Sequence, residues 1–314
     1  MTKIKNFIMF SFTIIVIGLI YINFDDIKNS FVEYFDEYFK ATPTLIIKDG
    51  NKYTKSYDFN YVSNSKDYIP HNYDDLVNIY YSVFNQGWDE FTFYCPEDYS
   101  ECIDDVKLIS NDKLLLSNIN NFVSPFNSYS EIKTLYDSTG EITIETSHLY
   151  NEYERQKLSN DIKDIIVNNT NDYMSDKEKI KTVHDYLINN TKYDKIKADS
   201  KDNTSPYDSS RINGVLYDHY AICSGYSDTM AAALDIMGFK NFKISSDTHV
   251  WNAVYIDNNW YHLDLTWDDP ITVGDENKNT LSHEYFLVDN ARLFADTENV
   301  SDHFFDEKIY TEMN

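Results

Sequence analysis

Positive charge is scarce in this chain. Its 314 residues carry 27 Lys and Arg against 52 Asp and Glu, a formal net charge of −25, and no basic run interrupts the acidic background. Such a surface repels nucleic acid and anionic lipid headgroups, so nucleic acid is excluded from the expected partners. Cysteine is scarce as well, with three residues: Cys95, Cys102 and Cys223. No two cysteines or histidines stand at the close spacing that zinc sites show. No run of spaced acids ending in Glu marks a calcium loop. No metal and no cofactor are therefore expected. Between Leu45 and about Tyr150 there is no internal repeat and no catalytic pattern.

What remains is a folding composition. Hydrophobic residues make up 42% and charged residues 25%, enough apolar material for a sizeable core and too little charge for a disordered chain. Aromatics reach 16%, chiefly 27 Tyr and 19 Phe. These bury large areas, so part of that richness is core, and exposed tyrosines could line a groove. The length suits one large domain or two ordinary ones.

The N-terminus points to a compartment. Lys3 and Lys5 precede an 18-residue stretch, Phe7 to Phe24, broken only by Ser11, Thr13, Gly18 and Asn23, and followed at once by Asp25 and Asp26. That length is near the lower limit for spanning a bilayer and long for a signal-peptide core. Positive charge before it and negative charge after it place the remainder outside. Residues 1–25 read as a single transmembrane anchor or a cleaved signal peptide; either way the body is exported, with the anchor giving a single-pass membrane protein facing out of the cytoplasm. In an exported protein Cys95 and Cys102 form a local disulfide or stand as two buried thiols. Cys223 is then the odd cysteine.

Residues 26–150 read as a stalk plus a small mixed α/β region. Phe31–Lys40 continues as an amphipathic stalk ending near Pro43. A helix over residues 74–87 shows Leu76, Ile79, Tyr80 and Val83 on one face. Phe91–Cys95 is strand-like, and Ser138-Thr139-Gly140 centres a hairpin. From about residue 151 to 314 the character changes. Leu158, Ile162, Ile165 and Ile166 form one helical stripe. Ser175 caps a second helix with Ile180, Val183, Leu187 and Ile188 inward, and His184 on that stripe reads as a core histidine. Residues 197–210 form a polar loop.

The chemistry lies beyond that loop. Cys223 stands at or just before the N-terminus of a helix running from Ser227 to Gly238, with Ser224-Gly225 marking the turn into it. Free N–H groups and the positive end of the helix dipole favour a thiolate there and can hold an oxyanion. Gly225 would let backbone or substrate approach the sulfur. Downstream, THVWNAVYIDNNWYHLDLTWDDP reads as two strands joined around Asp257, Asn258 and Asn259. A two-residue turn on Asp257-Asn258 pairs Trp251 with Asp264 and leaves His249 one diagonal step away on the same face, about 7–8 Å between α-carbons. A turn on Asn258-Asn259 keeps the face and adds an offset. A thiol needs a base, and the base needs a group to fix its orientation: Cys223, His249 and Asp264 fill those roles. His262 is a rival base, but it sits too near Asp264 in sequence to be oriented by it and also reach the thiol.

At this point the resemblance is specific. The blocks GVLYDHYAICSGYSDTMAAALDIMGF and THVWNAVYIDNNWYHLDLTWDDP resemble the core of the transglutaminase-like superfamily, and KTVHDYLINNTKYD resembles its upstream helix and tyrosine. With the N-terminal segment, the chain looks like a membrane-anchored bacterial type. The resemblance covers roughly residues 177–270. It implies an α+β, papain-like core with the cysteine helix packed on an antiparallel sheet, and a catalytic domain over residues 151–314. It also implies Cys223 as nucleophile, His249 as base and Asp264 as orienting acid. Tyr193 is an oxyanion candidate by resemblance alone, with Gly225 and Trp251 beside it as substrate or oxyanion candidates. Val250 stands where a smaller residue is common, and the first half of the chain lies outside the resemblance.

The expected activity is acyl transfer through a Cys223 thioester, with water or an amine as acceptor: protease, amidase or transglutaminase. The expected partner is a protein or peptide of the cell envelope. A non-catalytic surface module that keeps the fold is the alternative. Oligomeric state is left open.

Overall fold

Alternation along the strands of one sheet decides how this molecule is layered. The computed structural model describes residue 51 and residues 69–200, 202, 204–270, 281–295 and 300–314. The apolar stretch Phe7–Phe24 and the stalk Phe31–Lys40 lie outside the described residues. Among the described residues, no helix is long and apolar enough to cross a membrane.

The first region contains α1 (Tyr73–Asn85), whose expected inward face, Leu76, Ile79, Tyr80 and Val83, is fully buried. Asn72 caps it by accepting from the Asp75 N–H at 3.0 Å, which satisfies one of the orphan donors of the first turn. A three-stranded antiparallel sheet in the order β1-β3-β2 packs against it, built from β1 (Glu90–Tyr94), β2 (Tyr129–Tyr136) and β3 (Glu141–His148). The expected hairpin turn is present: Asp137 Oδ1 accepts from the N–H of Thr139 and of Glu141, and Gly140 takes φ +87°. Two helices were not anticipated, α2 (Cys102–Asn111) and α3 (Lys113–Asn121), which bury Val106 and Ile109, then Leu116 and Ile119. Cys95, just past β1, is joined by a disulfide to Cys102 at the start of α2, so of the two readings left open by sequence the structure takes the bonded one.

The second region opens with α4 (Glu152–Asn169) and α5 (Asp176–Asn190). Each begins with a reciprocal capping box, Asn151 with Glu154 and Ser175 with Glu178, so both starts are encoded locally. After the two-stranded parallel pair β4 (Lys192–Tyr193) and β5 (Tyr220–Ala221), with the short α6 (Lys195–Asp199) between them, comes the central helix α7 (Cys223–Met237). Gly238 ends α7 in the left-handed region at φ +88°, where glycine carries no steric cost.

The central sheet is antiparallel in the order β6-β7-β8-β9: β6 (Asn241–Ser245), β7 (Val250–Ile256), β8 (Asn259–Leu263) and β9 (Phe286–Val288). Asp257 and Asn258 form the β7–β8 turn with φ of 52° and 64°, the conformation that two-residue hairpins require. Ile256 pairs with Asn259 and Asn252 with Leu263, which is the first of the two registers considered above. Because side chains alternate across a strand, Trp251 and Ala253 join one core with Phe242 and Ile244, while Val254, Ile256 and Leu263 join another. The first core contains α1, the first sheet and the C-terminal residues Tyr310 and Met313; the second contains α4, α5 and α7. Burying each such large side chain contributes about 1.5–3 kcal/mol.

The expected division near residue 150 is not a break in the packing. Residues Lys48–Asn314 form one compact unit. Phe122 of the first region lies 5.0 Å from Phe242 and stacks on Tyr310 at 5.7 Å. The Asn51 amide donates to both Phe122 O and Asn241 O.

Candidate active site

Cys223 is the first residue of α7, four positions earlier than sequence placed the helix start, so Ser224 and Gly225 lie within its first turn. Ile222 before it is extended and offers no capping side chain, leaving the first-turn N–H groups uncapped. The polypeptide around Ser209 and Ser210 fixes this turn. Ile222 N–H donates to Ser209 O, and Ser224 Oγ to Ser210 O. Ser209 Oγ in turn donates to Asp194 Oδ2 at 2.6 Å, and Asp194 N–H to Ala221 O. Neither Asp194 nor Ser209 was singled out from sequence, although Asp194 closes the TKYD block.

Of the two close approaches expected at Gly225, backbone or substrate, the structure shows the backbone one: a Cβ there would stand 2.3 Å from Ser209 O, so the glycine admits that carbonyl against the helix.

His249 precedes β7. Its N–H donates to Ser246 Oγ, Ser246 N–H donates to its carbonyl, and its ring stacks on Trp251 at 5.7 Å and 15°. Its Nε2–H donates to Asp264 Oδ2 at 2.6 Å. Cys223 is near enough to the ring to raise its pKa, and with Nε2 engaged by Asp264 the nitrogen left to serve a thiol is Nδ1. Burial alone would lower the imidazole pKa. The charge and hydrogen bond of Asp264, followed by the contact with Cys223, outweigh it and push the value up to about 10.

Asp264 is buried, with every lone pair in use. Oδ1 accepts from the N–H of Thr266 at 2.9 Å and of Trp267 at 3.3 Å, while Oδ2 accepts from His249 and, at 2.9 Å, from His303 Nε2. Burial pushes its carboxyl up, but His249 and then His303 hold it well below the usual carboxylate range. His303 was missed by sequence reasoning. It lies in a short C-terminal helical turn with no motif around it, and chain separation hides the contact.

The rival base is engaged elsewhere. His262 Nδ1 accepts from Trp251 Nε1–H at 3.0 Å, and its Nε2–H donates to Asn290 Oδ1 at 2.7 Å. Burial lowers its pKa to about 4, so this ring is neutral at ordinary pH. Trp251, expected as a substrate or oxyanion candidate, is buried with its N–H given to His262; it is a platform beneath His249. Tyr193 lies in β4; burial, then the charges of Cys223, Asp194, Asp199 and Asp264, push its phenol up to about 12. It therefore keeps its O–H. His184 is a fully buried core histidine, as expected, bridging Asp185 and Asp268.

Among the described residues, two groups bring donor atoms within 4.8 Å of one another, His184–Asp185–His283 and His249–Asp264–His303. In the first, Lys181 Nζ already contacts both Asp185 and His283. In the second, Asp264 is saturated by four donors.

A thiol at a helix start, a buried imidazole and an orienting carboxylate make the arrangement that nucleophilic cysteine chemistry uses. Residues 162–265 match the family model described as the transglutaminase-like superfamily. That span holds Cys223, His249 and Asp264 but stops short of His303. No curated protein matches the chain. Among solved structures, similarity is found to a TGase at 19% identity and TM-score 0.34, covering 44% of each chain. A candidate cysteine protease of Cytophaga hutchinsonii is similar at 13% identity and TM-score 0.26, over 43% of this chain and 61% of that one. A candidate protease of Parabacteroides distasonis follows at 11% and 0.23, over 44% and 40%. The chain thus spans less than two thirds of the length of each.

Proposed function

We propose that this chain is a cysteine-dependent acyl-transfer enzyme acting on amide or peptide bonds, with Cys223 as nucleophile, His249 as base and Asp264 as orienting acid. The observation that carries the reading is the buried His249–Asp264 pair at 2.6 Å, with Cys223 at the start of α7 near enough to raise the imidazole pKa. His249 accepts the thiol proton and the sulfur attacks the acyl carbon. The tetrahedral oxyanion is met by the uncapped N–H groups at the start of α7 and by the Tyr193 O–H. Collapse expels an amine that takes the proton back from His249, leaving a thioester on Cys223. Water or a second amine then attacks, again through His249, and frees the sulfur.

The lysine-flanked apolar stretch Phe7–Phe24 supports a single-pass anchor with this unit outside the cytoplasm, and the Cys95–Cys102 disulfide suits an oxidising compartment. The substrate is accordingly a protein or peptide of the cell envelope. The test is amide turnover by the full-length protein, read as fluorescent primary-amine incorporation into a glutamine-bearing protein and as peptide cleavage without amine. Cys223→Ala abolishes whichever activity is found. Turnover unchanged in Cys223→Ala rules the reading out.

A further inference from the structure

We infer that His303 is a positioning residue of this site: its Nε2–H holds Oδ2 of Asp264 for His249, so that the C-terminal segment completes the machinery. The inference rests on the cysteine-enzyme reading above and concerns a residue outside the 162–265 span that matches the family.

Three observations carry it. First, Asp264 has four acceptor positions and uses all of them; backbone N–H groups take Oδ1, and two histidines share Oδ2. Without His303 that oxygen keeps one partner in a site closed to solvent, Asp264 being 1% exposed. Second, the surroundings of His303 argue against a packing role alone. Its ring is 1% exposed and lies 5.1 Å from Tyr285, 5.0 Å from Trp251 and 5.5 Å from Trp267. An aromatic cage of this kind would suit phenylalanine better, since a buried polar ring costs stability unless it is hydrogen-bonded. The bond to Asp264 is what a histidine adds.

Third, the segment is anchored to both halves of the site. Thr248, next to His249, donates its Oγ1–H to Asp302 Oδ1 at 3.3 Å. Asn290, which receives the His262 hydrogen bond, donates to Met313 O at 2.6 Å. Tyr310 OH donates to Asn118 Oδ1 and accepts from Ser245 N–H beside the loop that bears His249.

The consequence is electrostatic. Besides His303, the titratable groups whose charge reaches Asp264 are His249, Tyr193 and His262. Donation from His303 helps a fully enclosed carboxylate stay ionised, and the ionised carboxylate keeps His249 an imidazolium beside the thiol. Removing the donor lets Asp264 take up a proton at higher pH. The acid edge of Cys223 reactivity then moves upward.

The experiment is the pH profile of Cys223 alkylation by iodoacetamide in the full-length protein, comparing wild type, His303→Phe and His303→Gln. Phenylalanine keeps the ring in its cage without the donor; glutamine offers an N–H in place of the ring. The expected result is an acid edge displaced upward by about one pH unit in His303→Phe, with the rate near pH 6 down about tenfold. His303→Gln stays within about threefold of wild type. A His303→Phe profile matching wild type overturns the inference, and so does equal loss in both variants, which would assign the effect to ring shape. Wild-type Cys223 labelling no faster near pH 6 than a free thiol would remove the enzyme reading itself, and this inference with it. Should His303→Phe fail to fold, NMR of the wild type decides: an exchange-protected downfield N–H proton on His303 Nε2 supports the bond to Asp264, and its absence overturns it.

Discussion

His249 and Asp264 meet across the β7–β8 hairpin one diagonal step apart, with Nε2–H donating to Oδ2 at 2.6 Å where both residues are buried. The Asp257-Asn258 turn sets this geometry, because it pairs Asn252 with Leu263 and so brings the strand ends to the same edge.

That pairing makes Asp264→Asn the most informative conservative change. Asparagine fits the same space but removes the charge that raises the His249 pKa, and it can present an N–H to Nε2 and so select the wrong tautomer. The expected loss in turnover is on the order of 10³–10⁴-fold, as in comparable triads, measured as kcat/KM on whichever amide substrate proves active. A loss below tenfold would mean that Asp264 does not orient the base.

His262 gives the opposite expectation. Its ring accepts from Trp251 and donates to Asn290, so His262→Gln should cost about 1–3 kcal/mol of stability and leave the alkylation profile of Cys223 unchanged. The pH sign follows from its pKa of about 4 against an ordinary 6.5. Between those values the unfolded chain binds a proton that the folded chain refuses, so the contribution of His262 falls as pH drops through that window. The stability gap between wild type and His262→Gln should therefore narrow from pH 7 to pH 4.5 in denaturant titrations. A constant gap would contradict the neutral, buried assignment.

The disulfide closes a short loop across seven positions, Cys95 to Cys102. Chain-entropy arguments give a bridge of that span about 2–3 kcal/mol. Replacing both cysteines with serine should lower stability by roughly that amount and leave Cys223 labelling unaltered. Altered labelling would tie the first region to the site.

What was readable from sequence was what is local. Ser175 announces a helix start and Asp257-Asn258-Asn259 announce a hairpin; each is settled within a few residues. The Cys223, His249 and Asp264 candidates came from a helix start and a hairpin read locally, with the register left open between two turns, and from the resemblance. Trp251 was misread because its partner, the His262 ring, is fixed by packing rather than spacing. His303 lies 39 positions from Asp264, beyond any periodicity. The helices α2 and α3 went unnoticed, although Cys102, Val106 and Ile109 follow helical spacing and Asp112 caps α3 by accepting from Leu115 N–H.

The most direct test is the pH dependence of Cys223 alkylation in the full-length protein, with and without His249→Ala. His249 has a folded pKa raised to about 10, so its imidazolium persists across neutral pH. Whatever stability the pair contributes is fully present below about 6.5 and lost only as pH rises through about 10. The account predicts fast labelling well below the free-thiol range near 8.5, lost in His249→Ala. The same ordinary titration in both proteins would contradict it.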